Sequence, residues 1–253
     1  MSDVGVVTTK GSLKLLMTVH IGMFHPSANR VILITWFRSL EASMSRLTTE
    51  ERDDLKLWAR IHVRGGYEPV EEIEEILLDL SEEFDSPLSE RDRQTEVRSA
   101  VIQAIEVLRE EQVGWPVLTD FDRLELAFDM LEDKDIVARQ NFTCCGTCGA
   151  AEIGIEIEDF ESFGRAARGY VFFHQQDTES AVETGNLYLS YGAANNNADV
   201  VFLDIGQEIH DTLKAVGLTV HWDGQLEHRI GVTMDWQRRW EGAIPKPMKR
   251  WPF

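Results

Sequence analysis

Around Pro116 the spacing of apolar residues changes period, and that change bounds what the chain can fold into. Before it, apolar side chains recur at helical spacing; after it, short apolar runs alternate with helical stripes. Thr48-Thr49-Glu50-Glu51 is a capping signature, and Leu55, Trp58, Ala59 and His62 come after it until Gly65-Gly66 stops the helix. Val70, Ile73, Ile76, Leu77 and Leu80 mark a second helix, whose outward Glu71, Glu72, Glu74, Glu75 and Asp79 have no basic residue to pair them. Beyond Ser86-Pro87, a third helix carries Val97, Val101, Ile105 and Leu108 on one stripe and ends at Gly114-Trp115-Pro116. Three amphipathic helices must pack on one another or on the next domain to bury their faces. Residues 50–116 are therefore expected to form a helical unit.

Residues 117–240 mix both periods. Thr119-Asp120-Phe121-Asp122 caps a helix with Phe121, Leu124, Phe128 and Leu131, and Asp133-Lys134-Asp135 turns it into a strand, Ile136 to Phe142. An acidic segment from Ala150 to Phe163, helical or extended, leads to a strand, Tyr170 to His174, and a short helix near Asp177. A strand from Leu187 to Tyr191 precedes the Asn195-Asn196-Asn197 loop. A helix with Phe202, Ile205, Ile209, Leu213 and Val216 is next, closed by Gly217. Leu218 to Trp222 and Ile230 to Met234 flank Asp223-Gly224 as a hairpin, with Val220 on the core side. The fold class predicted is α+β: an N-terminal helical unit followed by a mixed-sheet α+β domain of about five strands.

Charge narrows the partners. With 25 basic against 44 acidic residues the formal net charge is −19, so a protein partner is favoured over nucleic acid. Residues 1–49 run against this, with five basic and two acidic side chains; they read as a separable extension of uncertain role, and Met44 is an alternative start. Their longest apolar run, Val31 to Phe37 between Arg30 and Arg38, falls short of the roughly 20 residues a membrane span needs. The order of a secretory signal is missing too, so the expected location is cytoplasmic, with no membrane partner. The aromatic and basic tail, residues 241–253 with Trp236, Arg238, Arg239 and Trp240 before it, includes Lys246, Lys249, Arg250 and Trp251. It is expected to wrap back over the acidic body, tryptophans down and cations outward.

Cys144, Cys145 and Cys148 are the only cysteines, and three within five positions argue against a secreted disulfide scaffold. Three readings stay open. As metal ligands, Cys145-x-x-Cys148 followed by Gly149 is half a zinc knuckle, to be completed by Cys144 or by a histidine such as His174 or His221. As a redox site, a C-x-x-C between strand and helix sits where the helix dipole favours a thiolate. The lack of a proline between Pro116 and Pro245 argues against the thioredoxin fold, while another redox scaffold stays open. The simplest expectation is packing, three small soft side chains filling a crowded turn. His174 and Asp177, leaving a strand end together, form a candidate acid–base pair, although such an Asp is more often a helix cap. No phosphate-binding glycine loop, G-x-S-x-G or H-E-x-x-H is present.

The run Arg139-Gln140-Asn141-Phe142-Thr143-Cys144-Cys145-Gly146-Thr147-Cys148-Gly149, and then Gly169 to Glu179, resembles a family of uncharacterised bacterial proteins grouped as a domain of unknown function. Leu187 to Gly192, Gly217 to Gly224 and Asp235 to Arg239 are similar to it as well, so the likeness spans roughly residues 52–240. It implies no activity. The expected function is an interaction module of unknown partner. The alternatives are a metal- or thiol-dependent enzyme centred on Cys144, Cys145, Cys148 and His174, with Asp177, or an acidic immunity-type inhibitor. Zinc is the cofactor weighed.

Overall fold

The computed structural model describes residues 47–195 and 198–248. Helices come first: α1 (Thr49–Gly65), α2 (Val70–Leu80), α3 (Glu90–Glu111) and α4 (Asp120–Glu132). Next come β1 (Ile136–Arg139), α5 (Gly146–Ser162), β2 (Gly169–Phe172), α6 (Gln175–Thr184), β3 (Asn186–Ala193), α7 (Asp199–Ala215), β4 (Thr219–His221) and β5 (Ile230–Thr233). The fold is α+β with one five-stranded mixed sheet in the order β1-β2-β3-β5-β4, in which β1 and β2 run parallel and every other pair is antiparallel.

The first three helices share a core of Leu47, Leu55, Ala59, Val63, Ile73, Leu77, Val97, Val101, Ile105 and Leu108. Their starts are set locally. The Thr48 hydroxyl accepts from the Glu51 N–H, and the Glu51 carboxylate reaches back to the Thr48 N–H at 2.7 Å. That carboxylate also accepts from the Ser86 N–H and hydroxyl, at 2.9 and 2.5 Å, which pins the α2–α3 connection to α1. Burial opposes its charge, but the bonds from Ser86 and Thr48 outweigh it and hold the Glu51 carboxyl at about 2. The outward acidic face of α2 is not wholly unpaired as its own sequence suggests, because Arg98 from α3 reaches Glu74. The pairing residue lies on another helix and leaves no trace in the α2 periodicity.

Alternation along the strands divides the sheet's two faces. Ile136, Val171, Phe173, Leu187, Leu189, Ile230 and Val232 pack against α4 and α7, while Val137 and Tyr170 turn to the other side, where Phe160 of α5 and Ala167 meet them. On that second face, among the described residues, Tyr188, Thr219, His221 and Thr233 of the β3–β5–β4 end are exposed. Several strands are shorter than the sequence implies. β1 ends at Arg139 because Asn141 and Thr143 adopt left-handed backbone, φ 50° and 60°. β2 ends at Phe172, and β4 keeps only three residues. At its outer edge β1 has its Ala138 N–H covered by the Glu132 carboxylate at 3.4 Å.

The C-terminal segment ties the two cores together. Trp236 is buried, its indole N–H donating to the Arg64 carbonyl at 3.0 Å, and its ring meets Phe121, Phe173 and Tyr67 at centroid distances of 5.2, 6.1 and 6.4 Å. Trp240 and Ile244 pack against the helical core. The tail thus wraps back with its tryptophans down, but two of its cations do not point outward. Arg238 lies over the rings of Tyr67 and Phe121, 4.0 and 5.1 Å from their centroids, and Arg239 reaches Asp122 at 3.1 Å. A planar guanidinium stacks on aromatic faces and pairs with carboxylates at the same time. Lys249, Arg250 and Trp251 lie outside the described residues, as does the whole Val31 to Phe37 run. Among the described residues no helix is long and apolar enough to cross a membrane.

In the hairpin, Val220 pairs with Val232 and packs on the main core while Thr219 and His221 are exposed, so the register is the expected one. Val220→Asp sets a carboxylate against that core and is expected to cost about 1–3 kcal/mol in chemical denaturation. A neutral result would place the strand one residue out of register.

Candidate functional site

The cysteines sit where β1 hands over to α5. Cys145 is the N-cap of α5, in extended backbone at φ −155°, and Cys148 lies one turn further on. One glycine makes the approach possible. A Cβ on Gly149 would stand 2.5 Å from Cε2 of Phe172, so only hydrogen at this position lets α5 settle onto β2. A Cβ on Gly146 would stand 3.4 Å from Nε2 of His174.

The residues before the cysteines act as anchors. Arg139 pairs with Glu156 at 2.5 Å and with Glu132, tying β1 to α5 and α4. Gln140 accepts from the Tyr67 hydroxyl at 2.8 Å and Asn141 from the Thr178 hydroxyl at 2.7 Å. The Phe142 N–H donates to the Phe173 carbonyl, the Gln175 N–H to the Thr143 carbonyl, and the Phe142 ring meets Phe172 edge-on. Left-handed backbone at a non-glycine residue costs on the order of 1–3 kcal/mol, and these bonds hold Asn141 and Thr143 there.

The three sulfurs converge. Their atoms all lie within 4.8 Å of one another, with Cys144 and Cys148 3.5 Å apart. Cys144 is exposed and the other two are half-buried, so the thiols do not fill a closed turn as the packing expectation holds. The backbone N–H of Cys148, aided by the Cys148 thiol and the Thr147 N–H, stabilises negative charge on Cys145 and holds its thiol below the ordinary cysteine value. Cys148 is pushed up to about 12, its proton shared with the sulfurs of Cys144 and Cys145, whose charge opposes a second thiolate.

His174 and Asp177 are adjacent to this cluster and engaged with each other. His174, not Asp177, is the N-cap of α6: its Nδ1 accepts from the Asp177 N–H at 3.3 Å, and the Asp177 carboxylate reaches back to the His174 N–H at 3.1 Å. Nε2 of His174 lies 3.0 Å from the same carboxylate. Arg229, from the segment before β5, grips both Asp177 oxygens at 3.0 and 2.6 Å and also donates to the Tyr188 carbonyl. Burial, with Arg229 adding to it and Asp177 opposing, lowers the His174 pKa and favours a neutral ring. Nδ1 is thus taken by the α6 cap, and His174 does not join the group of three sulfurs, which among the described residues is the only such cluster of metal-ligating side chains. His221 is a strand away, its Nε2 3.2 Å from the Thr233 hydroxyl. Sequence reasoning missed Arg229, which no motif marks, and the anchoring roles of Arg139, Gln140 and Asn141. For the last three the signal was their place in the run leading to the cysteines, whose meaning needs the partners on other elements.

An α+β domain with a three-thiol cluster at a helix N-terminus, stabilised by a capped His–Asp–Arg network, is what fold and geometry define. The chain belongs to the family described as Domain of unknown function (DUF6891), whose model matches residues 48–240 and so begins at the Thr48 cap. No curated protein and no solved structure matches it.

The asymmetry between the two half-buried thiols has a measurable consequence. Alkylation of Cys145 is expected to reach half its maximal rate below the ordinary thiol midpoint of about 8.5, while Cys148 reacts only at far higher pH. Peptide mapping of iodoacetamide-treated protein across a pH series checks this, and equal profiles for the two cysteines would contradict the assigned geometry.

Proposed function

We propose that this protein is a cytoplasmic interaction module whose binding centre is the Cys144, Cys145 and Cys148 cluster, and that the cluster takes a thiophilic metal ion, zinc being the first to test. The observation that carries the reading is the convergence of three sulfurs within 4.8 Å on an accessible surface. Sulfurs bound to one tetrahedral zinc at about 2.3 Å stand ~3.8 Å apart, so a closure of no more than about 1 Å brings the cluster onto an ion. His174 lies beside Gly146 at the start of α5, and its Nδ1 is taken by the α6 cap. The strongly acidic surface favours a protein partner over nucleic acid.

A thiol-redox reading draws on a different observation, the stabilised thiolate at the α5 N-cap. The metal reading is preferred because it uses all three cysteines. Protein purified without an affinity metal is expected to carry about one zinc per chain, and a chelator to lower its melting temperature, because binding free energy is folding free energy. Cys145→Ser or Cys148→Ser should abolish both effects. Metal-free protein whose stability ignores chelator and zinc alike would sink the reading.

We also propose that residues 50–116 and 117–240 form the functional body and that residues 1–49 are separable from it, apart from the capping residues at their end. A chain beginning at Met44 keeps Leu47, which is buried, and the Thr48 cap. It is expected to melt within a few degrees of the full chain by differential scanning calorimetry; a large drop would assign the first 43 residues to the core.

A further inference from the structure

We propose that the three cysteines form a trigonal site for a trivalent metalloid, arsenic or antimony presented as its neutral oxyacid. This deepens, and rests on, the reading of Cys144, Cys145 and Cys148 as one coordination set.

Ligand count is the first reason. A four-coordinate ion such as zinc leaves one position to fill, and among the described residues no histidine or carboxylate joins the three sulfurs. His174, at the start of the neighbouring helix, has its Nδ1 taken by the Asp177 N–H and lies outside the group of three sulfurs. A trivalent arsenic or antimony centre needs three thiolates only, since its lone pair occupies the outward position. The cluster is open enough to admit such a centre, since Cys144 is exposed and the other two cysteines are only half-buried.

Charge is the second reason. Three thiolates bring three negative charges, so a monovalent ion leaves two uncompensated and a divalent ion one, on a protein whose formal net charge is already −19. The cations that flank the site are committed elsewhere: Arg139 to Glu132 and Glu156, Arg229 to Asp177. A trivalent centre leaves the complex neutral, and the backbone N–H groups at the start of α5 then need to offset no residual ion. A neutral oxyacid also approaches an acidic surface without electrostatic repulsion.

The binding step is a ligand exchange. Three thiol protons leave with the three hydroxyl groups of the oxyacid as three waters, three arsenic–sulfur bonds replace three arsenic–oxygen bonds, and neither arsenic nor sulfur changes oxidation state. The pairs already stand close, with the Cys144 and Cys148 sulfurs 3.5 Å apart.

The test titrates the reduced, metal-free full chain with sodium arsenite, and in parallel with antimonyl tartrate and zinc chloride. Native mass spectrometry and a count of alkylatable thiols provide the readouts. The expected result is one arsenic or antimony per chain, protection of all three thiols, and displacement of zinc by arsenite. Cys144→Ser should bind arsenite at least tenfold more weakly; because Cys144 is exposed, an unchanged circular dichroism spectrum separates lost ligation from lost fold. Stoichiometric zinc that arsenite does not displace would overturn this proposal and leave the metal reading standing. Protection of only two thiols, or indifference to Cys144→Ser, would also overturn it. Binding of neither zinc nor metalloid would remove both.

Discussion

The structure depends on an aromatic seam. Tyr67 from the α1–α2 connection, Phe121 from α4, Phe173 from the end of β2 and Trp236 from the C-terminal segment meet ring to ring, with Phe128 behind Phe173. Each of these four belongs to a different part of the chain, and together they close the gap between the helical core and the sheet core. Large rings supply much buried area at low entropic cost and lock in edge-to-face geometry. The seam also reaches the candidate site, because the Tyr67 hydroxyl donates to Gln140, five residues before Cys145. Without Trp236 at its centre, the register between the helices and the cysteine loop would lose its common reference.

Much of this fold is legible in the sequence because it is written in local rules. The Thr48 and Thr119 capping boxes, the stripes of α1, α3 and α4, the glycine that ends α1, and the β4–β5 hairpin all follow from spacing and from residue types within a few positions. Strand ends are less legible. Ile136 to Phe142 reads as one strand, yet left-handed Asn141 and Thr143 break it, stabilised by Thr178 and Gln175 from a distant segment. The Glu74–Arg98 pair and the inward Arg238 are invisible for the same reason: each is a contact between elements, while periodicity reports one element at a time.

The candidate site divides along that line. That Cys144, Cys145 and Cys148 belong together is plain from their spacing, and the structure brings their sulfurs within 4.8 Å. What spacing does not show is that His174 turns to Asp177 and caps α6. An imidazole that accepts a backbone N–H does the work usually given to Ser, Thr or Asp at an N-cap, so the expectation of an Asp177 cap reverses the two roles. Arg229 completes that cap from the segment before β5.

Glu132 has a further consequence. Its carboxylate covers the Ala138 N–H on the outer edge of β1, and Arg139 draws the same carboxylate toward α5. An open edge of this kind is a template for strand addition by a second molecule. The edge runs directly into the loop that carries three accessible thiols, where two chains held strand to strand would be positioned to cross-link. Glu132 places a side chain across that route and occupies the Ala138 donor that an incoming strand would use.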